Sequence, residues 1–148
     1  MTRSELLAFF RSHINAVEAT VSAEGAPQAA VVGIAVTDQF EIVFDSLETT
    51  RKARNLSLSP RIALVIGGWI AGDERTLQYE GVADRPSGAE LERLKSVYYE
   101  VFPTGPSRLS WAGLVYLRAR PTWVRYTDFG KSPVERIELN ADQLRMLE

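Results

Sequence analysis

The stretch "DSLETTRKARNLSLSPRIALVIGG", Asp45 to Gly68, concentrates cations in a chain whose net charge is −2. Thr49 and Thr50 stand directly before Arg51, Lys52 and Arg54, and the apolar runs "FEIVF" and "IALVI" flank them. Two hydroxyls followed by three cations suit an anion. Thr49 or Thr50 can cap a short helix, whose first N–H groups lack partners inside the helix and favour negative charge. Arg51 can form a bidentate pair with a phosphate, and Lys52 adds a point charge. The same residues also fit a solvated helix face whose cations balance Glu48 and nearby carboxylates. Periodicity does not separate the two readings.

Other side chains offer less. Cysteine is absent, which excludes disulfides, thiolate catalysis and thiolate metal sites. The single histidine, His13, reads as a helix-surface residue, and no metal site is expected around it. Asp73 and Glu74 read as a solvated turn. Trp111 could stack on a bound ring or on a subunit interface, and Trp123 reads as packing. Arg118 and Arg120 share a strand face and fit a solvated face, ion pairs in a dimer, or a second anion contact.

These residues need a scaffold. At 148 residues, 45% of them apolar, the chain has the size of one domain, spanning residues 1–148, with a sizeable core. The charge balance disfavours nucleic-acid and membrane partners, no stretch is long enough for a transmembrane helix, and the N-terminus lacks a signal-peptide pattern. A cytoplasmic protein is expected. Thr2 and Glu5 have capping-box spacing before a helix over about residues 3–14. "AVEATVSA", "QAAVVGIAV" and "FEIVFDS" read as strands, the last two antiparallel across the tight turn "TDQ". A short helix follows to Ser59-Pro60, then strands "RIALVIGGW" and "RTLQYEGVADR". Ser87 and Glu90 form a second capping box before a helix carrying Leu91, Leu94, Val97, Tyr98 and Val101 on one face. "FPTGPSRLS" is a loop, and "WAGLVYLRARPTWVRYT" is one strand or two, interrupted at Pro121. "VERIEL" is a last strand and "NADQLRMLE" a capped helix. Six or seven mostly consecutive strands argue a mainly β fold with peripheral helices, an antiparallel sheet closed into a barrel.

The ordered set "QAAVVGIAV", "FEIVFDS", "TTRKARNL", "SPRIALVI" and "GVADRP" resembles the FMN-binding split β-barrel of the pyridoxamine 5′-phosphate oxidase-like superfamily. The resemblance covers residues 15–86 well and the C-terminal half more loosely. It implies that Arg51 and Lys52 grip the FMN phosphate, helped by Ser46 and Thr50. It implies that the second and third strands offer backbone groups to the flavin ring, with residues near Val31, Val32 and Ser46 beside it. The fifth strand, coming from the other subunit, supplies Thr76 with Gln78 one step along. The implied assembly is a homodimer with a flavin nucleotide at the subunit interface, and Trp111 is a further candidate contact. Three departures stand out. Gly33 replaces a phosphate-binding lysine, Asp45 stands where the true oxidases carry a tyrosine, and their C-terminal arginine/histidine segment has no counterpart. The resemblance is therefore to the smaller FMN-binding members, some described as general stress proteins, and pyridoxamine phosphate oxidation is not expected. An FMN-dependent oxidoreductase of unknown substrate is expected, with no catalytic residue assigned. The alternatives are a non-enzymatic flavin-binding or sensing protein, and the same fold binding deazaflavin F420 or haem.

Overall fold

The structure, a computed structural model, describes all residues 1–148. In chain order the elements are α1 (Arg3–Arg11), β1 (Asn15–Val21), β2 (Pro27–Gly33), β3 (Ala35–Val36), β4 (Ile42–Leu47) and α2 (Arg51–Leu58). Then come β5 (Arg61–Gly67), β6 (Arg75–Asp84), α3 (Gly88–Val101), a 3-10 helix (Gly105–Ser110), β7 (Leu114–Asp128), β8 (Glu135–Asn140) and α4 (Ala141–Met146). The strands form one antiparallel sheet in the order β2-β1-β5-β6-β7-β4-β3, with β8 on the far half of β7. The sheet curls until β2 approaches β4 without pairing to it. That gap is the split of the barrel.

Local chemistry sets the boundaries. In α1, Glu5 N–H donates to Thr2 Oγ1 (3.2 Å) and Thr2 N–H donates to Glu5 Oε2 (2.6 Å), the expected capping box. The helix stops at Arg11 rather than residue 14, because Ser12 caps its C-terminal end and its hydroxyl donates to Phe9 O (2.8 Å). The early stop turns His13 inward. It is only 6% exposed, not a helix-surface residue, and its ring packs 4.6 Å from that of Phe9.

The segment read as one strand over residues 28–36 is two. β2 pairs with β1 from Val21↔Pro27 to Asn15↔Gly33, whereas only Ala35 and Val36 pair with β4. The hairpin to "FEIVFDS" is therefore much shorter than expected. Gly33 sits at the switch because a Cβ there would meet the Phe102 ring at 2.8 Å. Pro121, by contrast, does not break β7. It lies opposite Gly81 at a β-bulge, and the strand runs through all 15 residues.

The concave face carries the main core. Leu6, Phe9 and Phe10 of α1, Leu56 of α2 and Leu144 of α4 pack on Phe44, Leu64, Leu77, Tyr79 and Leu117. On the convex face, α3 covers only β3, β4 and the first half of β7, through Leu94, Tyr98, Val43 and Tyr116. Val101, placed on this face by periodicity, is exposed. The predicted Ser87–Glu90 box is absent, since Ser87 makes no side-chain cap bond. Glu90 instead accepts from Arg118 (2.7 Å) and Arg93 (3.1 Å). Arg118, with a side chain 8% exposed, also donates to Asp84 (2.6 and 2.9 Å) and Glu41 (3.2 Å). Arg118 is thus neither solvated nor free for an anion, whereas Arg120 pairs with Asp84 (3.3 Å) and keeps half of its side chain in solvent. Arg118 centres an ionic cluster that pins the start of α3 to the sheet. No helix is long and apolar enough to cross a membrane.

Candidate functional site

Thr50 is the cap of α2, and its Oγ1 accepts from Ala53 N–H (3.3 Å) while donating to Leu47 O (2.9 Å). Ser46 closes the end of β4, with its Oγ 2.8 Å from Thr50 Oγ1. β4 is held in place by six register pairs to β7, including Ser46↔Val115. One strand end and one helix start therefore bring two hydroxyls together directly beneath the first turn of α2. The N–H groups of Arg51 and Lys52 have no acceptor inside the helix. Their side chains complete a pocket of about 170 Å³ against Glu18, Thr20 and Gln28 of the β1–β2 edge. That volume is below the range for a whole small-molecule site and suits a single group of a ligand.

The electrostatics distinguish this helix from a balanced surface. Glu48, the expected partner of these cations, pairs instead with Arg85 (3.5 Å). Asp45 points to the other face of β4 and accepts from Arg108 Nε (2.9 Å), so the carboxylate in the tyrosine position does not confront the pocket. Asn55, buried in the second turn of α2, donates to Thr20 Oγ1 (3.0 Å) and Gln28 Oε1 (2.6 Å), locking the helix onto the sheet edge. Glu18 is 1% exposed with Oε2 unpartnered, and burial pushes its carboxyl above the ordinary value, with Lys52 opposing.

The sequence candidates divide into two groups. Thr50, Arg51 and Lys52 line the pocket, Ser46 reaches it only through its hydroxyl contact with Thr50, and Val32 faces the concave side with the core. Val31, Thr76 and Gln78 lie on the convex face. Val31, 70% exposed, shares a cross-strand row with Val17, Val65 and Gln78, away from the α2 pocket of the same chain. Adjacent residues of a strand point to opposite faces, so Val31 and Val32 cannot both present side chains to one ring. Trp111, 55% exposed, caps the 3-10 helix three residues before Leu114, which pairs with Leu47. Asp73 is not a solvated turn residue. It forms a two-point pair with Arg75, whose hydrogen bonds draw its carboxyl down to about 2. Glu18, Thr20, Gln28 and Asn55 were not singled out from sequence. The larger cleft, about 630 Å³ between α1, β3 and α3, contains His13 but none of the candidates.

A curled antiparallel sheet split between β2 and β4, with a cationic helix start at the split, defines the class as a split β-barrel. The chain matches the family described as "Pyridoxamine 5′-phosphate oxidase" over residues 2–128 and belongs to that family. A pyridoxine/pyridoxamine 5′-phosphate oxidase of Thermosynechococcus vestitus is 34% identical over 94 residues, 64% of this chain and 42% of the relative. The chain thus spans less than half the length of that curated relative. Among solved structures, a heme binding protein from Mycobacterium smegmatis superposes with a TM-score of 0.83 at 19% identity, over 99% of this chain and 60% of that one. A pyridoxamine 5′-phosphate oxidase-related, FMN binding protein from Nostoc punctiforme gives 0.69 at 14% identity, over 93% and 87%. These likenesses are of fold.

Proposed function

We propose that the chain binds FMN and serves as an oxidoreductase, with the flavin phosphate held at the start of α2. One observation carries this reading. Arg51, Lys52 and Thr50, with the Ser46 hydroxyl bonded behind Thr50, converge on one small pocket whose only carboxylate, Glu18, is pushed by burial toward its neutral form, while Asp45 and Glu48 are paired elsewhere. The donor set fits a phosphate: two cations, hydroxyls and free helix N–H groups. Bound FMN supplies hydride and single-electron transfer. Arg51 and Lys52 neutralise its phosphate, Thr50 orients it with Ser46 holding the Thr50 hydroxyl in place, and Val32 with the β2 edge supplies apolar and backbone contact along the split. No side chain here is assigned a proton transfer.

The assembly reading is a homodimer. The convex faces of β2, β1 and β5 lack a covering helix and expose Val21, Val31 and Val65. Burying them against a second copy is favourable, and it carries Gln78 and Thr76 into an interface. Sedimentation at micromolar concentration is expected to show a species of twice 16.5 kDa, and Val65→Asp to shift it to monomer. A monomer in the wild type removes the dimer from the reading.

The cofactor test is titration with FMN, followed by flavin fluorescence. Arg51→Ala with Lys52→Ala is expected to weaken binding by about 3 kcal/mol, the loss of two charge-assisted bonds. An unchanged dissociation constant in the folded double variant overturns the phosphate site. The absorption spectrum of the purified protein separates FMN from F420 and haem. Reduction of bound flavin by NADH or NADPH, then reoxidation by candidate acceptors, separates an enzyme from a flavin-binding or sensing protein.

A further inference from the structure

Glu18 is the only carboxylate lining the cationic pocket. Its cross-strand neighbours are Ala30 on β2 and Leu64 on β5, neither of which can pair with it. In the next row, Thr20 and Gln28 are already engaged by Asn55 of α2. The charged groups that face Glu18 are Lys52 and Arg51, both from α2, and neither closes a hydrogen bond to its buried Oε2. β2 and β5 contribute no titratable group beside it. An unpaired buried carboxylate is costly as an anion and far less so as the neutral acid. Beside a phosphate, an ionised Glu18 repels, whereas the acid form donates an O–H to a phosphate oxygen, one of the stronger hydrogen bonds available.

We propose that Glu18 is a phosphate-contacting residue of this pocket, entering the complex as the carboxylic acid and donating its proton in a hydrogen bond to an oxygen of a phosphomonoester. The inference rests on the flavin-phosphate reading above. Where Glu18 is ionised in the free protein, solvent supplies the proton, so binding takes up one proton at that carboxyl. Arg51 and Lys52 then face the phosphate charge without a competing anion. The pocket discriminates for a group rich in acceptor oxygens.

The experiment is FMN titration calorimetry from pH 5.5 to 8.5, in buffers of different ionisation enthalpy, for the wild type and Glu18→Gln. The amide keeps the size and a donor but cannot ionise. Above the Glu18 pKa the wild-type dissociation constant is expected to rise by up to about tenfold per pH unit relative to Glu18→Gln. The wild type should also take up one more proton than the variant on binding. Subtracting the variant cancels the titration of the phosphate itself. Coincident pH profiles and equal proton uptake overturn the role of Glu18 while leaving the phosphate site standing. Failure of both proteins to bind FMN at any pH overturns both readings. Should Glu18→Gln not fold, carboxyl-carbon NMR of glutamate-labelled wild type decides the matter. One glutamate should titrate above the ordinary range in the free protein and stay protonated with FMN bound. A titration unchanged by FMN refutes the proposal.

Discussion

Replacing Arg118 by alanine removes the centre of the ionic cluster and should destabilise the fold by about 3 kcal/mol. The guanidinium makes four hydrogen bonds to three carboxylates, on Asp84, Glu41 and Glu90. Breaking a buried pair by removing one partner costs about 3–5 kcal/mol, because the other charge is left uncompensated. The lower end applies here. Glu41 keeps Arg93 (2.9 Å) and the Thr37 hydroxyl (3.0 Å), and Asp84 keeps Arg120 (3.3 Å). A domain of this size loses roughly 2–4 °C of Tm per kcal/mol, so the expected drop is roughly 6–12 °C. Urea denaturation followed by far-UV circular dichroism gives the free energy directly. A double-mutant cycle with Glu41→Gln should then show coupling, the arginine costing less once its buried partner is neutral. A loss below about 1 kcal/mol, with no coupling, refutes the assignment of this cluster as the clamp on α3.

The same cluster should make stability sensitive to acid. Hydrogen bonds from Arg118 depress the Asp84 carboxyl, and those from Arg93 and then Arg118 depress Glu90. A depressed folded value stabilises above the unfolded pKa, about 4 for both carboxyls, and that stabilisation fades as pH falls through the folded value. The gap between wild type and Arg118→Ala, measured by urea denaturation, should therefore hold from pH 7 to 5 and narrow below about pH 4; a gap unchanged at pH 3 contradicts this. Pyridoxamine 5′-phosphate with oxygen should yield pyridoxal phosphate far more slowly than about 1 per second on the FMN-loaded protein. Two of the cations offered after Pro121 are already spent, Arg125 on Glu138 (2.8 Å) and Lys131 on Glu135 (2.6 Å). Product formation followed by absorbance checks this, and turnover at or above that rate contradicts it.

Much of the scaffold was legible because its signals are local. Thr49 or Thr50 before a cationic turn implied a cap for α2, which Thr50 supplies, the Thr2–Glu5 spacing specified α1, and the flanking apolar runs specified β4 and β5. What escaped depends on which way the sheet faces. In "NAVEATV", alternation groups Val17, Ala19 and Val21 on the more apolar face, which amphipathicity would bury. The sheet does the reverse, turning Ala16, Glu18 and Thr20 inward, because the convex side of β1 is itself apolar and uncovered. Polarity on one strand cannot reveal that both faces of a sheet are in demand. Register across β2, β1 and β5 decides it, and the same register sends Val31 outward and Val32 inward. His13 departs from its expected surface position for a related reason: helix periodicity alone runs on two residues past the point where Ser12 ends α1. The ionic cluster draws on Glu41, Asp84, Glu90, Arg93 and Arg118, which are too far apart in sequence for spacing to join them.

The pairing of β4 has a temporal consequence. β3 offers β4 only two register pairs, and its remaining partner is the first half of β7. Ser46 pairs with Val115, some seventy residues later in the chain. Non-local pairings of this kind close late, after local hairpins have formed. During synthesis α2 and its cap can form as soon as residues 47–58 are available, but the strand carrying Ser46 stays half-paired until residues 114–119 have been made. The hydroxyl pair beside the cations is therefore one of the last features to be fixed, and the pocket at the start of α2 is not complete until most of the protein has been synthesised.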